Sequence, residues 1–185
     1  MSETNLNGKS TPWLIPSEAL NRQFNRAAGE ATQILDQEKL IRRLGFYIGN
    51  IGLLIGENVV SELTEMSSIC PIPNTASWLV GLINLRGNLI PVFDLCTLLG
   101  IERDVSKRKK TILLIMGQGD AAGALVLENL PIHIIFTESD KLESLPLLPD
   151  VLRAFATSGF EKNGEIWFNF DHSGFFHSLT TRIAI

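Results

Sequence analysis

Val80-Gly-Leu-Ile-Asn-Leu-Arg-Gly-Asn-Leu-Ile-Pro-Val-Phe-Asp-Leu95 is almost wholly apolar and β-prone, yet Asn84, Arg86 and Gly87 stand at its centre. This composition predicts two well-buried strands, Trp78–Leu85 and Asn88–Asp94, paired through a bend at the glycine. A guanidinium in such surroundings is costly unless it is satisfied or emerges onto a surface. Two roles fit Arg86. It pairs with a nearby carboxylate, Glu62 or Asp94, and locks two strands. Alternatively, it stands at the floor of an apolar groove and offers a fork of donors to a docked helix or strand. The roles are compatible, since an acid often positions a groove arginine.

Outward from this stretch the signal stays β. Leu44–Ile48 and Ile51–Ile55 flank Gly49-Asn50, a pair that tolerates positive φ and so marks a hairpin. Asn58–Leu63 reads as a helical turn leading into a strand. Ile69–Asn74 reads as a loop, because its prolines remove ladder donors. Leu95–Leu99 predicts a short helical turn ended by Gly100. Thr111–Met116 and Ala122–Leu127 form a further hairpin around Gly117-Gln-Gly-Asp120. Strands follow at Ile132–Phe136, around Val151–Ala156 and at Glu165–Phe170, with Asn163-Gly164 a turn, and His172–Leu179 reads as a short C-terminal helix. Upstream, residues 1–12 are polar and read as disordered, while Ser17–Leu40 carries helical spacing at Leu20, Phe24, Ala27 and Ala28. Regularly spaced strands with few long helices predict a mainly β fold of small barrels or a sandwich. The hairpin count suits two small barrels in succession, without an obvious tandem repeat.

Composition narrows the function. The 185 residues are 45% hydrophobic and only 19% charged, so part of the surface is expected to be apolar and open to a partner. A net charge of −4 argues against nucleic acid as the main partner. No apolar run approaches the length of a membrane span, and the polar start lacks a signal-peptide core, so a cytosolic location is expected. Cys70 and Cys96 have no CxxC spacing and read as reduced thiols.

The remaining chemical motifs are weak. Gly117-Gln-Gly-Asp-Ala-Ala-Gly123 looks like a phosphate loop, but a strand-like segment follows where that motif needs a helix N-terminus. Of His133, His172 and His177, the last two are five apart, off the spacing that presents two metal ligands on one helical face. Asp171 beside His172 suggests acid–base work, but no recognisable nucleophile motif accompanies it. A small-molecule-binding barrel or an enzyme using Asp171, His172 and His177 is the rival reading. Lys107–Lys110 reads as a solvated connector.

Gly81-Leu-Ile-Asn-Leu-Arg-Gly87 followed by Pro91-Val-Phe-Asp-Leu95 closely resembles the signature of CheW-like domains, the adaptors of bacterial chemosensory arrays. Val60-Ser-Glu-Leu63 resembles the upstream Val-x-Glu element, and Gly123-Ala-Leu-Val126 the downstream strand. Leu127, where the family commonly has Asp, and Cys96 depart from the pattern. The leader beginning near Pro12-Trp13 resembles the subgroup called PilI, which serves systems controlling type IV pili and twitching motility.

The resemblance implies two interlocked five-stranded SH3-like barrels over 41–182, with a disordered start and helical extension over 1–40 and a short C-terminal helix. It implies no catalysis, no cofactor and no metal. It implies an adaptor that bridges a methyl-accepting receptor's cytoplasmic tip to the regulatory domain of a CheA-type histidine kinase. Such adaptors work in cytoplasmic, membrane-associated and often polar arrays, without inserting in the membrane. A flagellar or other chemosensory pathway is the alternative to the pilus system. Carried onto matching positions, Val60, Glu62, Asn84, Arg86 and Gly87 lie at or beside the receptor groove, while Gly81, Pro91 and Asp94 shape the strand turn and Gly123 belongs to the downstream motif.

Overall fold

The computed structural model describes residues 39–65, 69–102 and 112–183. The disordered start, the helical pieces expected up to position 38 and Lys107–Lys110 lie outside the described residues. The described residues within Glu38–Ile185 form one compact unit.

Strands β1 (Ile41–Ile48), β2 (Ile51–Leu54), β3 (Ser61–Glu65), β4 (Leu79–Leu85) and β5 (Asn88–Phe93) lead into helix α1 (Leu95–Leu99). Strands β6 (Ile112–Met116), β7 (Gly123–Leu127) and β8 (Ile132–Phe136) precede a helical turn α2 (Asp150–Arg153). Then come β9 (Ala156–Lys162), β10 (Glu165–Phe170) and helix α3 (His172–Ile183). Two five-stranded sheets result, in the orders β8-β1-β2-β10-β9 and β3-β6-β7-β5-β4. Each is an SH3-like barrel.

The barrels do not follow one another along the chain. The first takes β1 and β2 from the N-terminal half and β8, β9 and β10 from the C-terminal half. The second takes β3, β4 and β5 from the first half and β6 and β7 from the second. Each half runs hairpin, strand, hairpin, helix, and the halves exchange their leading hairpins. Parallel pairs make the joins, β2 with β10 in one barrel and β5 with β7 in the other. An internal repeat is therefore present in topology although hidden in sequence.

Alternation along the strands feeds three cores. In β6, Leu113 and Ile115 face the interior of the second barrel, while Leu114 and Met116 face a core between the barrels. In β7, Ala124 and Val126 point inward, and Leu125 and Leu127 point to the shared core. Burial on both faces is why these strands read as unbroken apolar runs. The shared core adds Phe46, Leu53 and Phe168 from the first barrel, Phe93 from the second and Phe175, Phe176 and Leu179 from α3. Gly123 makes room for that helix, since a Cβ there would lie 2.6 Å from the Phe176 ring.

The structure corrects two local expectations. The helical turn expected from Asn58 is a hydrogen-bonded bend, Val59 N–H to Gly56 O at 3.2 Å, followed directly by β3. The strand expected around Val151–Ala156 is helix α2, and β9 starts only at Ala156. Short apolar runs do not distinguish strand from helix. Here the Pro149 carbonyl accepts from Leu152 N–H and Arg153 N–H, and Arg153 pairs with Asp150 at 2.9 Å.

The second barrel closes through a backbone bridge between Cys70 and Leu82, whose N–H and C=O groups exchange two 2.8 Å bonds. Gly81 sits beside it at φ 149°, at a bulge between Leu79 and Gly81. A Cβ on Gly81 would collide with the Cys70 carbonyl oxygen. This glycine serves barrel closure, away from the turn that the resemblance assigned to it. Gly81→Ala is expected to destabilise the protein by about 2–4 kcal/mol in urea unfolding. A loss below about 0.5 kcal/mol, the range of neutral surface changes, would contradict this role.

Candidate partner-binding surface

Strands β4 and β5 run in register down to the pair Leu85↔Asn88, so Arg86 and Gly87 alone form the turn. Both have positive φ, 51° and 89°. That is the geometry of the primed turns whose twist suits a two-residue hairpin. Asn84 Oδ1 accepts the Gly87 N–H at 2.8 Å and holds the turn from below. Among the described residues, the other non-glycine residues at positive φ are Asn74 and Asn163, of the type that tolerates it. Arginine does not belong to that type.

The turn carries Arg86 outward. Its side chain is 76% exposed, so the buried guanidinium feared from composition does not arise. It pairs with Glu62 on β3, Nη2 to Oε2 at 2.9 Å, and Glu62 is 38% exposed. β3 and β4 are the two ends of the sheet order, so the ion pair spans the seam where the barrel curls round. Asp94, the other carboxylate considered, is buried and caps α1: Oδ1 accepts from Thr97 N–H at 3.2 Å and Oδ2 from the Thr97 hydroxyl at 2.8 Å.

Arg86 and Glu62 stand at the mouth of a cavity of about 260 Å³, with Val60, Ile90, Ile115 and Gln118 among its walls. All of these residues belong to the second barrel or its turns, so the cleft lies at one barrel's end. Val60 is exposed, and its carbonyl accepts the Gly117 N–H at 3.0 Å. Val60, Glu62, Asn84, Arg86 and Gly87 are therefore brought together. Gly81, Pro91, Asp94 and Gly123 are not: they seat the bulge, β5, α1 and α3.

Sequence reading gave two neighbouring features no part in the site. Gly117–Gly119, read above as part of a hairpin turn in preference to a phosphate loop, lies in the turn joining β6 to β7 and lines the cleft together with Ala122. Leu89, beside the hairpin tip, is 68% exposed. An apolar residue flanking the Arg-Gly turn was the available signal. Of the rival histidine site, Asp171 Oδ1 accepts from Gly174 N–H at the start of α3. His172 lies edge-on to Phe176, and burial lowers its pKa. No helix of the described residues is long and apolar enough to cross a membrane. Cys96 is buried and Cys70 exposed, both unbridged.

Residues 42–180 match the family described as CheW-like domain. The chain belongs to the CheW-like domain family. It is 27% identical over 138 residues to the protein PilI of Pseudomonas aeruginosa, a stretch covering 71% of this chain and 76% of that one. It is 35% identical over 80 residues to the chemotaxis protein CheW of Thermotoga maritima, covering 43% of this chain and only about half, 53%, of that one. The scaffolding protein TtCheW of Thermoanaerobacter tengcongensis shares the fold, with a TM-score of 0.58 and 24% identity over 70% of this chain and 83% of its own.

Within this CheW-like domain, the topological counterpart of the Arg86-Gly87 turn is Asn163-Gly164, between β9 and β10, with φ of 54° and 79°. The same backbone is built there from the preferred dipeptide for such turns. Arg86→Asn is therefore expected to raise stability by about 0.5–1 kcal/mol in thermal or urea unfolding. Relief of left-handed strain exceeds the worth of an exposed ion pair. A loss above about 2 kcal/mol would show that the arginine locks the barrel.

Proposed function

We propose that this protein is a noncatalytic coupling adaptor of a chemosensory system, joining a methyl-accepting receptor's cytoplasmic tip to the regulatory domain of a CheA-type kinase. Membership of the CheW-like family supports the adaptor role, and the names of the relatives supply the chemotactic setting. The observation that carries the receptor reading is Arg86: an exposed guanidinium, positioned by Glu62 on a strained turn, at the lip of a cleft of mixed polar and apolar lining. Nothing in the barrel's own packing asks for arginine there. A fork of donors beside the exposed Val60 suits the polar and apolar sides of a docked helix. Val60, Glu62, Asn84, Arg86 and Gly87 are the proposed contact residues.

Each contact of this size is modest, of the transient class, and firm assembly comes from many linked contacts in an array. Two barrels with a common close-packed core deform little, which suits transmission of small rigid shifts. The setting we favour is a type IV pilus system, because the likeness to PilI extends over 71% of this chain. Loss of twitching with swimming intact in a deletion strain supports that setting, and the reverse pattern assigns the protein to flagellar chemotaxis.

Arg86→Ala is expected to weaken capture of a receptor-tip fragment by about 2–4 kcal/mol, roughly thirtyfold or more, while the circular-dichroism melt moves little. Undiminished capture by a folded variant would contradict the receptor role.

A further inference from the structure

Two turns in corresponding places differ in what covers them. The β1–β2 turn of the first barrel and the β6–β7 turn of the second each hold a left-handed glycine, Gly49 at φ 60° and Gly119 at φ 57°. A Cβ on Gly49 would lie 2.9 Å from Ile101, which follows α1 and packs with Leu98 and Leu99 on the shared core. A Cβ on Gly119 would meet nothing within 4 Å. The strands beside the turns differ in the same sense. Ile166 on β10 and Leu89 on β5 each stand five positions before a helix-capping aspartate, Asp171 and Asp94. Ile166 is packed on the shared core, whereas Leu89 is 68% exposed.

In the second barrel this leaves a groove of about 670 Å³, bounded by Leu89 and Pro91 of β5, by residues 119–122 and by α3. The helix lends it Ser173, His177 and Thr180, a spacing that keeps all three on one helical face, and the ring of Phe176. The groove is continuous with the cleft at Arg86, since Asn88, Gly119 and Ala122 line both. Its lining holds the carboxylate of Asp120 and no lysine or arginine. The first barrel shows what suits such a place, because there the turn is covered by an aliphatic side chain, Ile101. Here the matching side chain has to come from outside the barrel. The straight face of α3 favours a helix as its carrier, and Asp120 favours a cation beside it.

We infer that the helix docked at Arg86 continues past the β6–β7 turn and lays an aliphatic side chain between Leu89 and α3, with a lysine or arginine toward Asp120. This rests on the receptor reading above and extends it with a second anchor. An acceptor at Arg86 and a cation at Asp120 also fix the direction in which the partner helix runs.

The test measures binding of a labelled helical receptor-tip fragment to the full chain by fluorescence anisotropy. Leu89→Ala and Thr180→Trp change exposed side chains on two different elements, so both variants are expected to fold, a point checked by circular-dichroism melts. Leu89→Ala is expected to weaken binding about tenfold by removing the apolar contact, and Thr180→Trp about as much by filling the groove. Asp120→Lys is expected to weaken it severalfold at low salt and little at about 0.5 M salt, where the repulsion is screened. Arg86→Ala separates the two claims. Unchanged binding by folded Leu89→Ala, Thr180→Trp or Asp120→Lys, with Arg86→Ala still weakened, overturns the second anchor and leaves the receptor role standing. If Arg86→Ala is also without effect, or the fragment does not bind, the receptor role fails and this inference fails with it.

Discussion

The two parallel joins, β2 with β10 and β5 with β7, are the constraint on which the rest of the molecule depends. Neither barrel can close from one half of the chain, since each borrows a hairpin from the other half. The apolar faces outside the barrels then have only one another to cover them, and Phe93, Phe168, Phe175 and Phe176 fill the space between. Gly123 is bare so that Phe176 can reach β7, its ring stacked 5.5 Å from that of Phe93. A chain tied in this way unfolds as one body, and its surface features hold fixed relative positions.

Against that rigid frame, the two outer hairpins are a natural comparison. Each ends in two residues at positive φ, and each is followed by a short passage to an aspartate that caps a helix, Asp94 before α1 and Asp171 before α3. One turn is Asn-Gly, the dipeptide that this backbone prefers, and the other is Arg-Gly. The difference lies in one side chain at one position. In the receptor-binding role proposed above, the strain of holding arginine there serves what the guanidinium does outside the fold, with Glu62 as its positioning acid.

Much of the fold was legible in the sequence because hairpins are local. Gly49-Asn50, Asn163-Gly164 and the apolar runs at β6 and β7 announce strands and turns within a few residues of themselves. The exchange of hairpins was not legible, because β2 and β10 meet from opposite ends of the chain and each reads as an ordinary buried strand. Gly81 was misread for a related reason, since what it avoids is the carbonyl of Cys70, set beside it only by barrel closure. The five clustered residues proposed as the contact site were chosen through the resemblance. Composition alone placed Arg86 in the bend between the two strands but gave no hint of its positive φ, since arginine is not among the residues that favour that conformation.

The account's central claim is that the hairpin-tip arginine faces a partner. Its most direct test is an NMR titration of the full chain with a helical receptor-tip fragment. The account predicts the largest perturbations at Arg86 Nε–H and at the amides of Val60, Glu62 and Gly87, with the inter-barrel core unmoved. Perturbations confined to the first barrel, with Arg86 silent at saturation, would contradict it.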